Sequence, residues 1–171
     1  MLSGLRIVLV SAFLISPCFA QTGTVTFYSY GASVKTEKAG TMPTVRPFTG
    51  WLFDGQQRLA RAQDGHFVTF HLAAGQHSFS AALDSDKPGK EPVVVTVRDG
   101  QHSCFHLYSK VELNDALLYV GLAGKVEPVR CGDAAEGVGK SKPLEAKRID
   151  PAVLAEVDAS AMPARGDPKR P

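Results

Sequence analysis

Five histidines and three cysteines are the residues of this chain best suited to ligate a metal or move a proton. His102 and His106 are four apart in a stretch that reads as β-strand. That spacing separates them by about 13 Å and denies them a common ion. His102 and Cys104, two apart, face the same way and could share one. His71 and His77 flank a short turn, but side-chain parity points them to opposite faces. Zinc needs at least three protein ligands converging in one place, and no such set is legible. The histidines are therefore read as lining the sheet or its surface, with no metal and no cofactor.

Other motifs fall short of the chemistry they suggest. Gly137-Val138-Gly139-Lys140-Ser141 resembles the end of a phosphate loop, but Ala134 stands where the first glycine belongs and Pro143 spoils the helix start. Asp84-x-Asp86 followed by Gly89 opens like a calcium loop. Pro88 then occupies a ligand position, and Val95 stands where the bidentate glutamate is needed. Arg165-Gly166-Asp167 is a tripeptide common by chance. Nucleophile-elbow, zinc-protease and cysteine-protease signatures are absent from the sequence. A triad could still assemble from scattered residues, but nothing nominates one, so no catalytic residue is assigned and the chain is read as not an enzyme.

The N-terminus bears on the cysteines. Arg6 precedes an apolar run from Ile7 to Ile15, then Pro17 and the small-residue end Cys18-Phe19-Ala20. This is the pattern of a secretory signal peptide over residues 1–20, cut between Ala20 and Gln21. A membrane anchor would need a longer apolar run. Lipoprotein processing at Cys18 is the other alternative, disfavoured by Pro17. Loss of Cys18 leaves Cys104 and Cys131 in an oxidising compartment, where a disulfide is the natural outcome. Two free thiols or a metal pair are the alternatives. The reading is thus of an exported chain, periplasmic or secreted, with no transmembrane segment once mature.

The chain has 171 residues and a formal net charge of +2, which falls to about +1 without Arg6. So small a charge gives no electrostatic case for nucleic acid. Its length suits one domain with extensions.

The elements that must position these residues are strands. From His66 to Ala73, His66, Val68, Phe70 and Leu72 share one face. Beyond Ala74-Gly75, His77, Phe79, Ala81 and Leu83 do the same. The pattern predicts a hairpin pairing Leu72 with His77 and Phe70 with Phe79. Thr24 to Tyr30 reads as a first strand, and Thr49 to Phe53 as a second with Trp51 and Phe53 on one face. Gln57 to Ala62 is a weaker partner. Pro92–Asp99 and Gln101–Lys110 flank Asp99-Gly100, a strong hairpin signal. Their inward face is ambiguous, and a run apolar on both faces suits a strand covered on both sides. Ala116–Ala123 and Val126–Cys131 complete a domain over residues 21–131. Residues 132–171 read as a linker (Gly132 to Lys142), a short helix from Pro151 to Ala159 capped by Asp150, and a disordered tail from Ala161. Val153, Leu154 and Val157 share one side of that helix.

The order of motifs in the first half resembles the PEGA-like and related uncharacterised bacterial domains. The carrying residues are Val25-x-Phe27-Tyr28, the aromatic strand ending Phe53-Asp54-Gly55, the strand after Gly65, and Ala74-Gly75-Gln76-His77, where Ala74 replaces the usual proline. The likeness covers the chain to about Cys104. It implies a small all-β, antiparallel β-sandwich of prealbumin-like type, exported, with no assigned catalytic residues. The function expected is a non-catalytic interaction or structural module of the cell envelope, whose partner is an unidentified envelope protein or a glycan. A glycan- or peptidoglycan-binding module is the alternative, and an unrecognised hydrolase a more distant one. Candidate contact points are the Gly31–Pro47 and Asp84–Glu91 loops and the aromatics Tyr28, Tyr30 and Tyr108.

Overall fold

The computed structural model describes residues 21–30, 45–83, 85–113 and 119–158. The expected signal peptide, most of the Gly31–Pro47 loop and the tail from residue 159 lie outside these. In chain order the strands are β1 (Thr22–Ser29), β2 (Val45–Pro47), β3 (Gly50–Asp54), β4 (Gln57–Ala62), β5 (His66–Ala73), β6 (Gly75–Ala82), β7 (Val93–Val97), β8 (His102–Leu113) and β9 (Tyr119–Val129). Helix α1 (Cys131–Lys140) and β10 (Lys142–Pro143) follow, then 3₁₀ turns at Ala146–Arg148 and Pro151–Glu156. The first sheet runs β10-β5-β1-β8, with β9 along the other edge of β8 and β2 pairing further along β8. The second runs β4-β3-β6-β7. The chain is an all-β sandwich with a short C-terminal helix.

Two expected hairpins are not hairpins. β5 pairs with β1 in the first sheet, whereas β6 pairs with β3 and β7 in the second. The Ala74-Gly75 turn therefore carries the chain from one layer to the other. Asp99-Gly100 does the same between β7 and β8, and Asp64-Gly65 between β4 and β5. Gly65 and Gly100 hold φ of +71° and +65° at these corners, a conformation that favours glycine. Parity explains why the sequence suggested pairing. Phe70 and Phe79 both point to the interior and are fully buried, but from opposite sheets. The sandwich is also not purely antiparallel, because β1 and β8 run parallel, as do β10 and β5.

The core forms around Phe27. Its ring lies 4.9 Å from Phe79 and 6.3 Å from Phe70, both edge-on, and stacks on Phe105 at 5.2 Å. Burial of each such side chain supplies roughly 1.5–3 kcal/mol before entropy, and edge-to-face packing adds to it. β7 turns Val93, Val95 and Val97 inward and leaves Val94 exposed. β8 buries Phe105 and Leu107 in the same core and Cys104 on its opposite face, so it is covered on both sides. Trp51 and Phe53 do not share the interior. A bulge between Leu52 and Phe53 brings both of those inward, leaving Trp51 half-buried beneath the Arg58 guanidinium, 4.8 Å from its ring centre.

The expected linker is helical from Cys131 to Lys140. Gly132, Gly137 and Gly139 weaken its intrinsic propensity by about 0.8–1 kcal/mol each relative to alanine. Packing overrides this. Ala134 and Val138 lie against Tyr28 and the cysteines, and Gly137 meets the Tyr28 ring. Asp133 in the first turn and Lys140 in the last also suit the helix dipole.

Beyond the helix, residues 142–158 form a strap. Asp150 caps the Pro151–Glu156 turn by accepting from the Ala152 amide at 3.0 Å, as its sequence predicts, although the turn is 3₁₀. Leu144, Ile149, Val153 and Val157 enter the main core, while Leu154 stays exposed. The strap bridges both sheets: Asp150 N donates to Leu59 O on β4, and Asp158 N donates to Thr69 O on β5, each at 2.9 Å.

Candidate functional site

Two places combine polar chemistry with access to solvent. The first is a groove of about 520 Å³ between the end of β6, residues 85–91 and β9. β7 pairs only with Gly75–Phe79, so the last residues of β6 have no strand partner on that side among the described residues, and Gly89 lies against them instead. β9 closes in from the first sheet, and Gly124 makes the approach possible: a Cβ there would lie 2.8 Å from both the Ala81 carbonyl oxygen and the Phe48 ring. Ala81, Ala82 and Ala123 are too short to fill the space, and Leu83, Leu122 and Pro88 give it apolar walls. Across the mouth, Lys125 Nζ meets Glu91 Oε2 at 2.6 Å, and the lysine holds the Glu91 carboxyl below the usual range. The Lys125 side chain is largely covered, whereas Glu91 is exposed. Ser85 and Lys90 add a hydroxyl and a second ammonium. No histidine or cysteine is among the described lining residues, which combine apolar walls with a hydroxyl and charged groups.

The second place is the outer face of the first sheet. Cys104 on β8 is joined to Cys131 at the start of α1, the pairing the sequence suggests. His102 Nε2 lies 3.7 Å from Cys104 Sγ and 2.9 Å from Thr26 Oγ1, which in turn meets Thr69 Oγ1 at 2.8 Å. Further along, His106 stacks between Tyr28 at 5.0 Å and Tyr108 at 5.6 Å. Burial pushes His106 below the usual histidine range, against the opposing pull of Glu127, the Tyr30 backbone and Asp64. Its Nε2 is buried without a hydrogen-bond partner, which a neutral ring tolerates at lower cost than a charged one. Burial also raises the Tyr28 and Tyr108 phenols, helped by Glu127 in both cases.

The aromatic contact points separate. Tyr28 is only 9% exposed beneath α1 and is not a surface contact. Tyr108 is half-buried. Tyr30 is 37% exposed, with Lys140 Nζ 5.9 Å from its ring centre.

The other histidines hold the fold together. His66 Nδ1 lies 2.9 Å from Asp64 O at one corner, and His71 faces Asp158 of the strap at 3.8 Å. His77 Nδ1 meets Asp54 Oδ2 at 2.5 Å, and its Nε2 meets Ala73 O at 2.8 Å. Both ring nitrogens face acceptors, so the geometry favours the doubly protonated imidazolium. Burial opposes that charge, but the Asp54 hydrogen bond, the Ala73 carbonyl and the charges of Asp54 and Glu156 outweigh it and raise the pKa. Sequence parity could not find this pair, because Asp54 reaches His77 from the end of a different strand. Among the described residues no helix is long and apolar enough to cross a membrane. Comparison with protein-family models, curated proteins and solved structures finds no match to this chain.

Proposed function

We propose that this chain is a non-catalytic, exported β-sandwich module of the cell envelope that holds a partner in the groove between β6 and β9. The PEGA-like resemblance belongs to the same proposal. The observation that carries it is the groove itself: its wall of residues 85–91 belongs to a loop whose sequence marks it as a contact point, and its small-residue floor leaves space open to solvent. The apolar walls and the Lys125–Glu91 pair suit a segment with both apolar and charged groups.

The test uses the mature chain with a photo-crosslinking residue at Lys90, and a control carrying it at the exposed Leu154 on the far seam. Envelope extract should give a defined adduct from the first and not from the second, and Leu122→Arg should abolish it. Equal labelling from both positions would refute the groove as the binding face. Mass spectrometry of the exported product should begin at Gln21; an N-terminus at Met1 or a lipidated Cys18 would refute the route. The glycan alternative keeps Tyr30 and loses Tyr28 from its stacking surface. Co-sedimentation with purified cell wall, abolished by Tyr30→Ala, would favour it over a protein partner.

A further inference from the structure

His102 Nε2, Cys104 Sγ and Cys131 Sγ all lie within 4.8 Å of one another. His102 and Cys104 stand two apart on β8, and Cys131 arrives from the first position of α1. We infer that in the reduced chain these three atoms form a binding site for a thiophilic divalent cation of the zinc class, so that the disulfide and the metal are mutually exclusive occupants of one place.

The distances suit that ion. Zinc–sulfur bonds of about 2.3 Å and zinc–nitrogen bonds of about 2.0–2.1 Å in a tetrahedron put a sulfur and a nitrogen roughly 3.6 Å apart, and two sulfurs roughly 3.8 Å apart. The His102 Nε2–Cys104 Sγ edge already measures 3.7 Å. After reduction the sulfurs must separate, and Cys131 is the one free to move. It is half-buried at the helix end, so a change of rotamer suffices, whereas Cys104 is 4% exposed and fixed in the middle of the sheet. The helix N-terminus also favours the Cys131 thiolate. In the oxidised chain His102 Nε2 is bonded to Thr26 Oγ1 at 2.9 Å, a contact the entering ion must displace, and Thr26 keeps its bond to Thr69 when it does. His102 is exposed, which lets an ion enter and leaves the fourth position to water, the three-ligand arrangement of open zinc sites. Thiolates select soft or borderline cations over calcium and magnesium.

The exchange balances with a dithiol reductant. Its two electrons break the sulfur–sulfur bond, its two protons pass to Cys104 and Cys131, and it leaves as its own disulfide. The entering cation then displaces both protons. A newly made chain begins in the dithiol form and needs no reductant. This inference does not depend on the groove.

The experiment titrates phosphine-reduced mature protein with cobalt(II) under exclusion of oxygen, with circular dichroism on the same samples. Expected are one cobalt per chain, a thiolate-to-metal absorption band, tetrahedral visible bands, and displacement by zinc. The oxidised protein and Cys131→Ser should show no such band. His102→Ala should weaken binding by more than the roughly tenfold that follows loss of an outer-shell partner, while His106→Ala should leave it unchanged. A reduced chain that loses its β signal, a folded reduced chain without the band, or a band indifferent to His102→Ala would each overturn the inference.

Discussion

The two long seams of this sandwich are finished in opposite ways. On one side, β4 and β5 are bridged by the strap, whose Ile149 and Val157 make backbone bridges to Ala60 and Phe70 while their side chains complete the core. On the other, β6 and β9 meet over alanines and glycines and leave an open groove. A sandwich must close its seams to keep water from its interior, and this chain closes one with large side chains carried on a returning segment. The other is closed by a near-contact of backbones over Phe48 and Val126, which leaves a depression outside the core. The strapped seam should carry more of the stability, and the partner proposed for the groove would leave that seam undisturbed.

Substitutions should expose that division. Phe70→Ala, at the floor of the strapped seam, should destabilise by about 3–5 kcal/mol in urea denaturation; a loss below about 1 kcal/mol would mean that Phe70 is not core. The disulfide anchors α1, from which the strap departs, and closes a sequence separation of 27 residues. Its removal should cost about 3.5 kcal/mol in the chain-entropy account, read from the denaturation midpoint with and without reductant. Ile149→Ala should cost about 2–3 kcal/mol, in the lower part of the usual range because the strap can settle into the gap. On the groove side, Leu122→Ala should change stability by less than about 1 kcal/mol while weakening partner crosslinking. Equal losses from Ile149→Ala and Leu122→Ala would erase the comparison.

A smaller effect belongs to the corner where β5 passes into β6. The pKa of His77 is raised in the folded chain, so its pairing with Asp54 contributes stability that is fully present below the unfolded histidine value near pH 6.5. That contribution is lost as pH rises through the raised folded value. His77→Gln should therefore cost more at about pH 6 than at about pH 9, measured as the difference in midpoint from the wild-type chain. His106, lowered by burial, acts in the opposite sense: its site resists charging, so His106→Gln should relieve a penalty that grows as pH falls through the unfolded value.

Much of the fold is legible before any coordinates. The alternation in β5 and β6 picks out Val68, Phe70, Leu72, Phe79 and Ala81, all buried, though His66, His77 and Leu83 are only half-buried. The Asp150-Pro151 cap appears where its chemistry predicts, and Cys104 pairs with Cys131. The errors have separate origins. A glycine corner between strands of matching parity reads the same whether the chain returns beside itself or above itself, so Ala74-Gly75 and Asp99-Gly100 read as hairpins. The bulge at Leu52 and Phe53 shifted parity within β3, which misplaced Trp51. Helix α1 was hidden by its glycines and by a covering face that only Tyr28 and the disulfide supply.

The sequence by itself determined that this chain makes strands, that Val68, Phe70, Leu72 and Phe79 turn inward, and where glycine corners bend the chain. These properties depend on a period of two and on glycine geometry. Tertiary structure alone decided which layer each strand joins, that residues 131–140 are helical, that one seam is strapped and the other grooved, and that Cys131 comes to rest beside His102. Those outcomes depend on contacts between segments far apart in the chain, whose burial no local pattern encodes.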